Sequence, residues 1–180
     1  MNYAEDIEKL SKVLRPLSDE QEANAAVALL LKQEKNALSV LLVKRVENLG
    51  DPWSGQMAFP GGKRIEKDLD LKQTIVRETR EETDIDLLDR CRFLGVLTAM
   101  RSRPRPDIKI LPYVILVQYE PKIRLNKQEL EDSFWIPTRE VEEGKGHAKF
   151  DFGEAPAYIV RGRVVWGLTY RILESLFVLF

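Results

Sequence analysis

The sequence predicts a single α+β sandwich. Apolar runs of strand length are mixed with helical patterns that are few and irregularly placed, which is not the regular alternation of a βαβ fold. At 180 residues and 44% hydrophobic content, the chain is long enough for one domain with a substantial core, and two full domains would stretch it.

Each element follows from spacing and punctuation. Residues 4–15 place Ile7, Leu10, Val13 and Leu14 at helical intervals, and Arg15-Pro16 closes that helix, because the residue before a proline is pushed out of the helical region. Residues 25–31 and 37–43 are two apolar runs around the polar turn Lys32 to Asn36, which predicts a β-hairpin. The first run is far shorter than the roughly 20 residues of a membrane-spanning helix, so it reads as a buried strand. A loop from Glu47 to Gly55, rich in Gly, Asp, Pro and Ser, leads to Phe59-Pro60-Gly61-Gly62. An acidic helix follows, then strands at Phe93 to Ala99, Ile108 to Gln118 and Phe134 to Ile136, and a short helix near Thr138 to Glu143. The glycines between 144 and 153 mark only a loop. Tyr158 to Val160 and Val164 to Trp166 flank Arg161-Gly162-Arg163 as a second hairpin, and a terminal helix runs from about Leu168 to Leu179.

Charge and cysteine content narrow the function. Lys plus Arg of 28 against Asp plus Glu of 29 leaves a net charge of -1, so no global field favours nucleic acid or an anionic membrane. The single cysteine, Cys91, excludes an intramolecular disulfide framework and a cysteine zinc cluster, and reads as a small buried or half-buried side chain. The start Met1-Asn2-Tyr3-Ala4-Glu5-Asp6 lacks the basic and apolar parts of a secretory signal, and a cytoplasmic protein is expected.

The most informative segment is Arg77-Glu78-Thr79-Arg80-Glu81-Glu82, with Gly61-Gly62 upstream. On a helix of about 3.6 residues per turn, Glu78, Glu81 and Glu82 fall at i, i+3 and i+4. Leu71, Ile75, Glu78 and Glu82 share one stripe, apolar at first and then acidic, so the acids continue a buried face. A solvated, salt-bridged helix with Arg77 paired to Glu81 would use the same residues. The other reading is a hard-cation site, since carboxylate oxygens suit Mg²⁺ or Mn²⁺ with waters and substrate phosphates completing the shell. The glycine pair is either a simple turn or a place where backbone comes close to metal and phosphates without an intervening Cβ.

This segment resembles the signature of the Nudix hydrolases, Gly-x5-Glu-x7-Arg-Glu-U-x-Glu-Glu-x-Gly-U, where U is aliphatic. Gly62 is followed after five residues by Asp68, and after eight more by Arg77-Glu78-Thr79-Arg80-Glu81-Glu82-Thr83-Asp84-Ile85. The departures are one extra residue before Arg77, Asp68 for glutamate, Thr79 for an aliphatic residue and Asp84 for glycine; aspartate tolerates the left-handed conformation of a helix end, less readily than glycine. The extra residue is similar to the spacing in the coenzyme A pyrophosphatase branch, as are Gly55-Gln56-Met57-Ala58-Phe59-Pro60-Gly61-Gly62 and the echo Leu41-Leu42-Val43-Lys44-Arg45. Between them the branch's arginine and histidine are absent, and Gly50-Asp51-Pro52-Trp53-Ser54 stands there. The resemblance runs from about residue 23 to the C-terminus, so residues 1–22 read as an N-terminal helical extension and residues 23–180 as the Nudix domain.

The resemblance implies an α/β/α sandwich with a mixed β-sheet, and divalent-metal-dependent hydrolysis of the diphosphate linkage in a nucleoside diphosphate derivative, with coenzyme A or a related nucleotide cofactor as the first substrate. It implies Mg²⁺ or Mn²⁺ held by Glu78, Glu81 and Glu82, with backbone at Gly62 helping. Arg77 would orient a catalytic glutamate and pair with the motif's first acid, Asp68, or Glu66 if the inserted residue lies earlier. The general base would be a motif glutamate, Glu81 or Glu82, or a distant acid such as Glu129; an ordinary surface glutamate is the alternative for Glu129. Arg101, Arg103 and Arg105, spaced by Pro104 and Pro106, make either a solvated loop or a phosphate clamp. Gln56 and Trp53 lie in one loop, from which a nucleotide could be reached, although Trp53 and Trp166 more often serve packing. His147 receives no catalytic role. A small-molecule nucleotide is the expected partner, with no membrane and no nucleic acid; a homodimer is compatible with the sequence. The competing class is a catalytically silent Nudix-type domain that senses a nucleotide or binds RNA, against which stand the three glutamates and the neutral charge.

Overall fold

The computed structural model describes residues 3–34 and 37–180. The element order is α1 (Tyr3–Val13), β1 (Ala25–Glu34), β2 (Ala37–Arg45), β3 (Met57–Ala58), β4 (Gly61–Lys63), α2 (Leu71–Thr83), β5 (Cys91–Val96), β6 (Met100–Arg101), β7 (Lys109–Val117), β8 (Leu130–Pro137), α3 (Thr138–Glu143), β9 (Lys145–Phe150), β10 (Gly153–Val160), β11 (Arg163–Trp166) and α4 (Gly167–Phe177). The expected hairpin of β1 and β2 is present, with Leu31 opposite Val40 and Glu34 opposite Ala37. Lys35 and Asn36 of its turn lie outside the described residues.

The main sheet is mixed, as expected. Its path is β3-β2-β1-β7-β5, with β4 on β1, β6 on β7 and β8 on β2. β1 runs parallel to β7 over Ala25↔Ile110 to Lys32↔Val117, and the other pairings are antiparallel. β1 is continuously apolar from Ala25 to Leu31 because both of its faces are covered there. Ala26, Ala28 and Leu30 face Leu71 and Ile75 of α2, with Leu111, Tyr113 and Ile115 beside them. Leu29 and Leu31 face the opposite cluster, which holds Ile7 and Leu10 of α1, Val141 of α3 and Ile172, Leu173 and Leu176 of α4. This is the α/β/α layering. The segment after α1 adds to the sheet, where Arg15 N–H donates to the Val96 carbonyl at 3.1 Å and Val96 N–H returns the bond to Arg15 at 3.0 Å.

One expectation is corrected. Residues 145–150 are a strand, not a loop, and β9, β10 and β11 form a separate antiparallel sheet. Only Ala148 of β9 is buried, so the strand carries no apolar signal and gains its order from pairing with β10. His147 stands on it, exposed and opposite Pro156. The hairpin at 161–163 is as expected, with Arg161 and Gly162 at φ 48° and 72°, the signature of a tight two-residue turn. No helix among the described residues is long and apolar enough to cross a membrane.

Candidate active site

α2 brings the acidic residues to the sheet. Asp70 caps its start, accepting from Gln73 N–H at 2.7 Å, and Asp84 closes it at φ 62°, with its N–H bonded to the Arg80 carbonyl; the left-handed turn is met by aspartate. The apolar half of the inward stripe, Leu71 and Ile75, is fully buried, and Glu82 one turn beyond the middle is 3% exposed.

The three glutamates are not equivalent. Glu82 Oε2 accepts from Gly61 N–H at 2.8 Å. Burial pushes Glu82 up to about 8; the Gly61 N–H opposes this, and the nearby Glu78 and Glu129 charges add to it. Glu78 is likewise raised, by burial first, although Arg77 pulls it down. Glu81 projects outward, with 57% of its side chain exposed, and its carboxylate meets Arg77 at 3.2 Å. That is the i,i+4 pair of a solvated helix, so the helix combines both readings of the sequence: two acids turned in and one turned out.

Arg77 ties the acids together. Its Nε and Nη2 engage Asp68 in a fork at 3.1 and 2.9 Å, and Nη1 bonds Glu78 at 2.8 Å. Asp68, 6% exposed, also accepts from Ile65 N–H and the Thr74 hydroxyl. The Arg77 guanidinium holds its carboxyl well below the usual range, against the opposing effect of burial. Asp68 is therefore the partner of Arg77, and Glu66 is exposed.

The glycine pair is required by close approach. Gly61 adopts φ 150°, and a Cβ there would lie 2.2 Å from the Ala26 carbonyl oxygen; one on Gly62 would lie 2.5 Å from the Glu78 carboxylate. β4 can thus press against β1 while its backbone touches the acidic face of α2.

Glu78, Glu82, Gly61, Gly62, Gln56 and Glu129 line one cavity of about 300 Å³, together with Trp53 and Arg45. Glu129 reaches it from the segment before β8, where Asn126 Nδ2 donates to its carboxylate at 2.9 Å. Arg77, Glu81, Arg101 and Arg103 do not line it. Arg101 instead bonds the Pro106 carbonyl, Arg105 pairs with Asp107 at 3.0 Å, and Arg103 lines an adjoining cavity with Trp166. The arginine cluster is thus divided, two of its members being absorbed by their own loop.

Arg45, known from the sequence only as the end of the Leu41-to-Arg45 echo, also lines the cavity. It ends β2, bonds Asp51 at 2.7 Å and keeps a buried Nε without a partner. Asp51 also accepts from Trp53 N–H at 3.0 Å, so the loop in place of the branch's arginine and histidine is pinned to Arg45 and turns Trp53 to the cavity. The Lys44-Arg45 echo was the available signal. Two inward carboxylates, both raised first by burial, beside the glycine backbone of Gly61 and Gly62 are a donor set of oxygens that fits a hard divalent cation.

Residues 22–155 match the family model described as the NUDIX domain. The chain is 33% identical over 137 residues to the Caenorhabditis elegans peroxisomal coenzyme A diphosphatase ndx-8, covering 75% of this chain and 57% of that one. It is 27% identical over 161 residues to the human mitochondrial coenzyme A diphosphatase NUDT8, covering 84% and 67%. A Schizosaccharomyces pombe protein, 35% identical over 107 residues, is spanned over only 32% of its length, so the chain accounts for a third to two thirds of these relatives. The crystal structure of a MutT/nudix family protein from Enterococcus faecalis superposes with a TM-score of 0.55 at 18% identity, covering 97% of this chain and 68% of that one, a likeness of fold.

Proposed function

Because the chain belongs to the Nudix family, we propose that it hydrolyses the diphosphate linkage of a nucleoside diphosphate derivative, with coenzyme A as the first substrate to test. The observation that carries this reading is the pair Glu78 and Glu82, turned inward on one stripe of α2 and opening into a cavity whose wall includes the glycine backbone of Gly61 and Gly62.

Glu78 and Glu82 would hold Mg²⁺ or Mn²⁺ beside the Gly62 backbone, and the ion would neutralise phosphate oxygens and lower the pKa of a bound water. Arg77 does not touch substrate. Its fork to Asp68 anchors it to the preceding loop, and its third bond fixes the Glu78 carboxylate, so it positions that acid. Glu129 lines the cavity and is the acid best able to accept the proton of an attacking water, since it shares the space without being engaged by Arg77. Arg45 and Gln56 offer donors to phosphate oxygens, and Trp53 offers a flat apolar face to a base. Glu81, outside the cavity, supports Arg77. The names of the two diphosphatase relatives support coenzyme A, as do the spacing from Gly62 to Arg77 and the Gly55 to Gly62 segment.

The test is a product-mass screen across nucleotide diphosphates with Mg²⁺ and Mn²⁺, repeated with Glu82→Gln. The amide keeps an oxygen for the Gly61 N–H, so the variant stays folded. Turnover falls at least about a hundredfold, about 3 kcal/mol of transition-state stabilisation. Near-normal turnover at every metal concentration would remove Glu82 from the metal site.

A further inference from the structure

Beside the carboxylate cavity lies a second one of about 300 Å³. The two share Trp53, Gln56 and Leu168, so they adjoin across these side chains. Its chemistry differs. No carboxylate lines it; Arg103 and Arg171 do, against an aromatic wall of Trp166, Phe152 and Tyr170.

Both arginines lack an acidic partner among the described residues. Arg171, on α4, donates from Nη2 to the Arg101 carbonyl at 2.6 Å, which fixes its guanidinium, while its Nε is buried without a partner. Arg103 stands exposed in the loop after β6. Burial and the charge of Arg103 together hold Arg171 below the ordinary arginine value. Two guanidinium groups lining one cavity with no carboxylate between them make it a favourable place for an anion. Phe152 and Trp166 lie 5.5 Å apart, tilted by 35°, and Phe152 is 67% exposed. Phe150 backs both rings, stacked on Phe152 at 5.0 Å and against Trp166 at 4.4 Å, so the exposed side of Phe152 beside the two arginines suits a ring that carries a phosphate.

We propose that Arg103 and Arg171 form a subsite for a phosphate monoester that the substrate carries apart from its diphosphate, with Trp166 and Phe152 against the attached nucleoside. A phosphate monoester brings close to two negative charges, which two guanidinium groups match better than they match the single charge of a carboxylate. That this phosphate belongs to the substrate rests on the neighbouring cavity being the place of diphosphate cleavage; that the two arginines bind a phosphate monoester does not.

Binding tests it apart from catalysis. Adenosine 3',5'-bisphosphate and adenosine 5'-monophosphate, titrated calorimetrically into the whole protein, differ only in the second phosphate. The bisphosphate binds at least about tenfold more tightly, and the preference falls to within about twofold in Arg103→Ala and in Arg171→Met. Methionine retains the aliphatic packing of Arg171, and Arg103 is exposed, so its truncation leaves the fold intact. A wild-type preference near unity, or one that survives in Arg103→Ala, overturns the proposal. Hydrolysis is measured separately: a protein that cleaves no diphosphate yet shows the preference loses the hydrolase reading and keeps the subsite, and one that cleaves without it loses the subsite alone.

Discussion

Thr79 occupies the centre of α2, is fully buried, and its hydroxyl has no partner. The Nudix signature has an aliphatic residue at this position, and the surroundings agree, since both neighbours on the inward face are buried. A buried hydroxyl without a hydrogen bond is a desolvation cost with no return. Valine has the same shape and a similar helix propensity. Thr79→Val therefore stabilises the protein by about 1 kcal/mol, read as a higher urea midpoint at unchanged slope. A lower midpoint would show that the hydroxyl is engaged after all.

At the scale of elements, α2 and the loop before it behave as one unit, because Asp68 is bonded to Arg77, Thr74 and Ile65 at once. The sign of its pH dependence follows. The folded pKa lies below the ordinary 3.8, so the contribution is fully present above that value and is lost as the pH falls beneath it. Asp68→Asn costs about 2 kcal/mol at neutral pH, and the gap to wild type narrows in urea melts carried down to about pH 3. A gap independent of pH would mean that packing, not charge, is what Asp68 supplies. The elements that could be read from the sequence are those with a buried face: β1, β2, β7 and α2 each show it as a run or a stripe. β9 could not, because five of its six residues are not buried and its order is conferred by β10. β3, β4 and β6, of two or three residues each, are too short to carry a period at all.

At the scale of the whole molecule, the legible part of the site was the part written within one helix. Glu78 and Glu82 are one turn apart, so their shared inward face follows from geometry alone. Glu81 was grouped with them because i+3 lies close to i+4 around the axis, and only the packing shows that the buried arc ends between them. Arg45 and Arg171 come to the two cavities from opposite ends of the chain, and local spacing holds no record of such a meeting.

The parallel pairing of β1 with β7 has a consequence in time. While the polypeptide is being made, β1 and β2 exist as soon as residue 45 has emerged, but the other neighbour of β1 is complete only at Val117. At about 5–20 residues per second, a nascent chain carries one bare edge of this largely apolar strand for several seconds. A fragment ending at residue 105 is accordingly expected to sediment as aggregate, whereas the full chain, once released, refolds in roughly milliseconds to seconds, as non-local sheets do. A soluble fragment with its own cooperative melt would show that α2 shields that edge before β7 arrives.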